Sequence, residues 1–349
     1  MRLEVYTPST VHQLREPWEH LAAGSDMTAF QRWDWNAVVT SQVRGEWLAR
    51  RGAAIRFLLV AEAGHPVLIA PIRVQHLTWS PALRRGCYFL GHTSSSDYLD
   101  FVYRDFRPDA LELVLDHLRR RYAVRSCSFD RILGDSPSAR YLTERRTSRI
   151  TEENAVALTV PQTSEEYHAL LSRRFRQNVR TARNRAAKDD VGLSVEIDGV
   201  LTDRDHARIG CMRRSRAASR SSRRSGVPTL LDLYRRMLWG RRPVTAEELT
   251  AVGGTWTLAV RNSSSDLIAF AGALRDERHG VPTLRVNVVT HDERWSRYSP
   301  GIVGLHAAVL QTIEDGLPWR VLDLTRGEEQ YKFDLGGRPH AYVSVTCSL

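Results

Sequence analysis

Apolar positions along the chain form short alternating or continuous runs, punctuated by turn residues and by stretches with helical spacing. Ile55–Ala61 and Pro66–Val74 predict two strands joined at Gly64, and Cys87–Leu90 predicts a third. Pro108–Arg121 places Ala110, Leu111, Val114, Leu115 and Leu118 on one helical face. A strand at Ser128–Leu133, a short helix opening near Asp135–Ser138 and a strand at Ala155–Val160 follow. The same order then returns. Thr255–Arg261 and Leu267–Leu274 predict a hairpin through Asn262–Asp266, Thr283–Val289 a third strand, Pro300–Glu314 a helix, and Arg320–Leu324 and Ala341–Thr346 two more strands. One supersecondary pattern occurring twice predicts two related α/β domains, each a mixed central sheet flanked by helices. Their expected extents are 1–160 and 161–349.

Length agrees with that reading, since 349 residues suffice for two domains with a core each. A hydrophobic share of 42% and a charged share of 26% exclude a disordered, collagenous or coiled-coil chain. No apolar run is long enough to span a bilayer, and Met1-Arg2-Leu3-Glu4-Val5-Tyr6 lacks the layout of a signal peptide, so the expected location is the cytoplasm. Cys87, Cys127, Cys211 and Cys347 form no C-x-x-C pair, and no H-E-x-x-H occurs. Free, mostly buried thiols and no metal site are therefore expected.

Charge changes the picture more. The net charge is +10, and of fifty basic residues only Lys188 and Lys332 are lysine. Between Arg173 and Arg224 fourteen arginines and Lys188 stand against six acids, so this stretch carries nearly all of the excess. Within it Phe175, Val179, Ala182 and Ala186 recur at i, i+4, i+7 and i+11, with Arg176, Arg180 and Arg183 in a second stripe beside them. This is an amphipathic helix, part of a basic helical segment expected over 164–224. Its cationic face is compatible with a solvated flank, with a polyanionic partner such as phosphates or RNA, or with an anionic membrane surface. The serine- and arginine-rich run Arg213–Arg224 beyond it is compatible with a helix end, a mobile loop over a site or a disordered stretch.

Candidate chemistry concentrates between Val286 and Gly337. The strand Val286-Asn287-Val288-Val289 leads through a polar loop to Arg297-Tyr298-Ser299-Pro300-Gly301-Ile302-Val303-Gly304 and a helix. Pro300 suits a first helical turn, Ser299 a cap, and Gly301 and Gly304 leave the backbone open. Such an accessible helix start, with Arg297 beside it, favours a pyrophosphate. No nucleophilic serine elbow, P-loop or dinucleotide fingerprint is present.

Two hairpin strands, a long strand, this turn and helix, and a further strand are the order of the GNAT acyltransferase core. Asp323-Leu324-Thr325-Arg326-Gly327-Glu328-Glu329-Gln330-Tyr331-Lys332-Phe333-Asp334-Leu335-Gly336-Gly337 resembles the D-x-x-R-G-x-x-x-Y-K-x-x-x-G signature of the CelD/BcsL-type acyltransferases, which are similar to the Fem aminoacyltransferases. Phe30-Gln31-x-x-Asp34-Trp35, Ser96-Asp97-Tyr98-Leu99-Asp100 and Arg173-Arg174-Phe175-Arg176-Gln177-Asn178-Val179-Arg180 also resemble that family, in order. The resemblance implies tandem GNAT-like domains with the acyl donor on the C-terminal one. The donor's pantetheine would lie along Val288 and Val289, and its pyrophosphate against Arg297, Ser299, Gly301, Ile302 and Gly304. The turn departs from the usual Q/R-x-x-G-x-G/A, because Gly301 follows Arg297 at four positions and Gly304 comes next.

Acyl transfer to an amine needs a neutral nucleophile, a polarised donor carbonyl and a proton for the leaving group. Asp323 and Glu328 are candidate bases, with Glu329 beside them, and Tyr331 is a candidate acid. Arg326 and Lys332 are candidates for stabilising negative charge. Where every other basic residue but one is arginine, a lysine marks a place that guanidinium does not suit. Asp97, Tyr98 and Asp100 are candidates for binding a small-molecule acyl acceptor. The expected activity is N-acyl transfer from acyl-CoA, acetyl-CoA foremost, to an amine of a sugar or related small metabolite, without a metal. An aminoacyl-tRNA-dependent transferase is the alternative within the fold, and a nonenzymatic RNA- or membrane-surface-binding protein the alternative outside it.

Overall fold

The computed structural model describes residues 1–44, 53–75, 86–92, 96–145, 148–223 and 245–349. They fall into two compact units. The first runs from Met1 to Glu153 and also takes Ala341–Leu349, in place of the continuous 161–349 domain expected from the sequence.

In the first unit β1 (Arg2–Tyr6), α1 (Arg15–Ala22) and α2 (Trp33–Arg44) precede the hairpin of β2 (Ala53–Glu62) and β3 (His65–Gln75). Then come β4 (Gly86–Phe89), α3 (Pro108–Tyr122), β5 (Ser126–Leu133), α4 (Pro137–Glu144) and the start of β6 (Ser148–Thr159). The sheet order is β1-β2-β3-β4-β5, parallel only between β4 and β5, and β5 is closed by the last strand of the chain (Arg338–Ser348), paired Tyr342↔Leu133 through Ser348↔Ser126. That pairing is why the C-terminus belongs here: Val343, Val345 and Cys347 fill the core between β5 and α3 that the rest of the unit leaves open. Helix α3 buries the five apolar positions read from its spacing. Cys87, Cys127 and Cys347 lie in one cross-strand row, all fully buried, and Cys211 is exposed.

The second unit starts at Asn154 and runs through α5 (Ser164–Leu170), α6 (Arg173–Lys188), β7 (Ser194–Ile197) and α7 (Asp203–Arg223). It resumes with α8 (Ala246–Thr250), the β8 (Thr255–Arg261) and β9 (Leu267–Arg278) hairpin, β10 (Val281–His291), α9 (Pro300–Glu314), β11 (Val321–Arg326) and α10 (Gln330–Asp334), ending at His340. Sheet order is β6-β11-β10-β9-β8-β7, and only β10 and β11 run parallel. The element order of the first unit is thus repeated, as the apolar pattern predicts. Helix α6 buries Phe175, Val179, Ala182 and Ala186, the face read from its periodicity. With α5 and α9 it covers one face of the sheet through Leu284, Val286, Leu305, Leu322 and Leu324. Of the Arg213–Arg224 run, Arg213–Arg223 is helical and the rest lies outside the described residues.

Candidate active site

Parallel pairing of β10 and β11 begins at Thr283↔Val321 and ends at Arg285↔Asp323, although β10 continues to His291 and β11 to Arg326. On its other side β10 carries an irregularity between Val286 and Val288, which leaves Asn287 as the extra residue. The bulge turns β10 away, and the two strands diverge from a vertex at Arg285 and Asp323. Thr325 fixes β11 there. Its φ of 57° is a strained value for a β-branched residue. It is held by its N–H to Asp323 Oδ1 at 2.7 Å and its Oγ1 to the Val286 carbonyl at 3.0 Å. Past the vertex Val288 is buried and Val289 half-buried, and the Val289 carbonyl accepts a hydrogen bond from Arg216 of α7.

Helix α9 starts at the same end of β10. Ser299 lies in the left-handed region at φ 46°, and its side chain makes no capping bond. Its carbonyl instead accepts from Ile302 N–H at 3.1 Å and Val303 N–H at 3.0 Å, so Ile302 has no amide to offer a ligand. Gly301 is the open position, with nothing closer to a built Cβ than Val289 Cγ1 at 4.0 Å. Gly304 is not part of such a cradle. Its Cβ would fall 2.5 Å from Val260 Cγ2, so this glycine seats α9 on β8. Arg297 is tied to Asp189, at the end of α6, at 2.9 Å, and Tyr298 Oη donates to the same carboxylate.

The signature Asp323–Gly337 makes one compact turn. The Lys332 ammonium, 3% exposed, donates to the carbonyls of Thr325 at 3.1 Å, Arg326 at 2.6 Å and Gly327 at 3.0 Å and pairs with Glu329. With three carbonyls and one carboxylate around it, the ammonium holds the backbone at the end of β11. Gly337 allows this, for a Cβ there would meet the Lys332 carbonyl at 2.7 Å. Glu328 is exposed and accepts from Asn154, Arg326 is exposed, and Tyr331 packs half-buried on the core. Asp323 is 1% exposed and ion-paired with Arg285 at 2.6 Å. Burial alone would raise its pKa, but His340, Arg285 and the Thr325 N–H together hold it below the ordinary carboxylate value. Asp323 is thus enclosed. A neighbour absent from the sequence-based candidates, His340, is half-buried, and its Nε2 lies 3.5 Å from Asp323 Oδ2.

The first-unit candidates are also enclosed. Asp100 accepts hydrogen bonds from Ser136 Oγ, Ser138 Oγ, the Phe101 N–H and Tyr103 Oη. Burial raises its pKa to about 6 against the effect of those four donors. Tyr98 is a core residue against Phe30, and its carbonyl accepts from Thr28 Oγ1. Asp97 is 5% exposed. Each of the three is thus buried among residues of the first unit; Ser94 and Ser95 lie outside the described residues. Arg176, Arg180 and Arg183 are exposed on α6 as expected. Arg176 donates to the His168 carbonyl and Arg180 to Gln177, and none of the three has a carboxylate partner among the described residues.

Residues 173–333 match the sequence pattern of the family described as an acetyltransferase (GNAT) domain. This stretch, under half of the chain, is similar to GNAT acyltransferase domains. Its bulged, diverging strand pair and following helix are the elements in which the GNAT resemblance placed the donor. No curated protein matches the chain in sequence. Among solved structures, FemX is similar in fold at 11% identity and a TM-score of 0.56, over 98% of this chain and 97% of that one. A conserved protein of unknown function from Bacteroides thetaiotaomicron is similar at 10% identity and a TM-score of 0.55 over the whole of both chains. L-PGS from Bacillus licheniformis is similar at 10% identity and a TM-score of 0.51, covering 95% of this chain and 91% of that one. At these identities the likeness establishes the shared α/β fold. Among the described residues no helix is long and apolar enough to cross a membrane, and no cluster of His, Cys, Asp and Glu has the form of a metal site.

Proposed function

We propose that this protein is an N-acyltransferase of the CelD/BcsL type that moves an acyl group from a coenzyme A thioester, acetyl-CoA foremost, to an amine of a sugar or related small metabolite. The observation that carries the reading is the end of β10–β11 pairing at Arg285↔Asp323 while both strands continue. A pantetheine arm is extended and amide-bearing, and the divergent edge of β10 offers it main-chain partners along Val288 and Val289. The open Gly301 at the start of α9 lies at the far end of that track, where a pyrophosphate would meet the positive end of the helix. Arg216, on the Val289 carbonyl, is the group that an incoming donor displaces or joins.

Thermal unfolding tests the reading. Acetyl-CoA at a hundredfold excess over its dissociation constant adds roughly 3 kcal/mol by linkage, seen as a higher Tm. An unchanged Tm with acetyl-CoA and other short acyl-CoAs refutes it. One observation favours a second donor: Arg173, Arg174, Arg176, Arg180, Arg183, Arg185 and Lys188 have no carboxylate partner among the described residues, a face suited to the phosphates of an aminoacyl-tRNA. Binding of charged tRNA that weakens steeply with salt, without any effect of acyl-CoA, supports that donor instead.

A further inference from the structure

A buried line of charge crosses the second unit on the sheet face opposite the α6 and α9 core. Asp276 of β9 pairs with Arg285 of β10, Arg285 Nη1 contacts Asp323 Oδ2 of β11 at 2.6 Å, and Asp323 faces His340 at 3.5 Å. The side chains of Asp276, Arg285 and Asp323 are 3%, 6% and 2% exposed, whereas that of His340 is 32% exposed. Between His340 and Asp323 lies β6, where Asp323 is paired with Ala157. The small side chain there lets the imidazole reach across the strand.

Burying three charges in a sheet costs several kcal/mol per ion unless the set is well paired. Here the Arg285 guanidinium lies between the carboxylates of Asp276 and Asp323, and the Asp323 carboxylate lies between Arg285 and His340. Asp323 is also rigid, since Arg285 and the Thr325 N–H hold its two oxygens. A fixed, enclosed carboxylate behind a solvent-accessible imidazole orients the ring and compensates the charge it gains on taking a proton.

We propose that His340 is the proton-transfer residue of the acyltransferase and that Asp323 is its positioning residue. The assignment rests on the reading of β10 and β11 as the donor track, because Asp323 and Arg285 form the vertex at which the thioester would lie. The acceptor amine attacks the thioester carbonyl carbon, a C–N bond forms and the C–S bond breaks. The proton released by nitrogen passes to the imidazole of His340 and from there to the departing thiolate, giving an amide and a free thiol.

Histidine NMR on the full chain decides it. In protein labelled with 15N at histidine, the His340 signals are those missing from the spectrum of His340→Gln, an accessible position where the variant folds. Saturating acetyl-CoA shifts the His340 ring signals more than coenzyme A lacking the acyl group does, and His340→Gln keeps its acetyl-CoA affinity within about twofold. Asp323→Asn changes the tautomer ratio of His340; should that variant not fold, the wild-type ring still reports the interaction as a single dominant tautomer with Nε2 protonated. Unmoved His340 signals at saturation, or a mixed tautomer in the wild type, overturn the assignment and leave the donor reading standing. Failure of acetyl-CoA to raise the Tm removes the donor reading and the assignment with it.

Discussion

Lys332 Nζ donates to the Arg326 carbonyl at 2.6 Å, the shortest of three bonds with which one ammonium gathers the backbone where β11 ends. Those bonds explain why a chain otherwise devoted to arginine keeps lysine here. A planar guanidinium cannot converge on three successive carbonyls, whereas a tetrahedral ammonium points its donors in three directions.

Replacing Lys332 therefore costs stability before it costs chemistry. Lys332→Met leaves three main-chain oxygens short of a partner at a buried position, at a penalty of about 1–3 kcal/mol each where water cannot reach. Urea unfolding is expected to give a loss of about 3 kcal/mol or more, and Lys332→Arg does not restore it. A variant as stable as the wild type would assign the ammonium to ligand binding.

The two glycines of α9 separate packing from binding. Gly304→Ala drives a methyl group to 2.5 Å from Val260 Cγ2, and overpacking of this kind costs about 1–3 kcal/mol. Gly301→Ala meets nothing closer than Val289 Cγ1 at 4.0 Å and gains up to about 1 kcal/mol of helix propensity, yet it stands where the pyrophosphate approaches. Calorimetry should find it as stable as the wild type or more so, with weakened acetyl-CoA binding. Equal affinity in Gly301→Ala would move the phosphate site elsewhere.

Fold elements were legible wherever burial imposes a period: the buried faces of α3 and α6 and the limits of α9 and β8 follow from apolar spacing. The edge strands β1 and β7 were not, because half-exposed strands carry weak alternation. Roles within the site were harder, since a motif gives residue types but not directions. Lys332 and Gly304 stand in the right segments, and their contacts turn inward. Phe30, Gln31 and Trp35 resemble the family together with Ser96–Asp100 for a reason seen only in three dimensions. Trp35 Nε1 donates to Ser96 Oγ, Gln31 to the Phe101 carbonyl, and Phe30 packs on Tyr98. His340 carried no sequence signal, because only the folding of the chain past Gly337 brings it to Asp323.

Two buried groups give the units opposite responses to acid. Asp100, with its pKa raised to about 6 chiefly by burial, binds its proton more tightly folded than unfolded, so its contribution is full below about pH 4 and lost as pH rises through 6. His306 on α9 has its pKa lowered to about 4 by burial and by Arg183 and His168, so its contribution is present above about pH 6.5 and lost as pH falls through 4. Stability of Asp100→Asn relative to the wild type should therefore improve between pH 4 and 6, and that of His306→Phe should decline over the same interval. Denaturant titrations at three pH values check both slopes, and parallel curves for wild type and variants would contradict the burial of these groups.

The cations of α6 make the remaining prediction, since their stability and binding effects should part. Arg176, Arg180 and Arg183 contact a carbonyl, a neutral amide or solvent and no carboxylate among the described residues. Exposed side chains of this kind change stability by no more than about 0.5 kcal/mol when replaced. The triple substitution to glutamine should leave the urea midpoint in place. It also removes charge from a row beside His306, so the ring's proton affinity rises as the repulsion from Arg183 is lost. Binding to a polyanion, read with tRNA at two salt concentrations, should weaken and lose about three in the slope of log K against log salt if all three arginines meet phosphates. An unchanged slope would leave these arginines as a solvated flank of the second unit and remove the ground for an aminoacyl-tRNA donor.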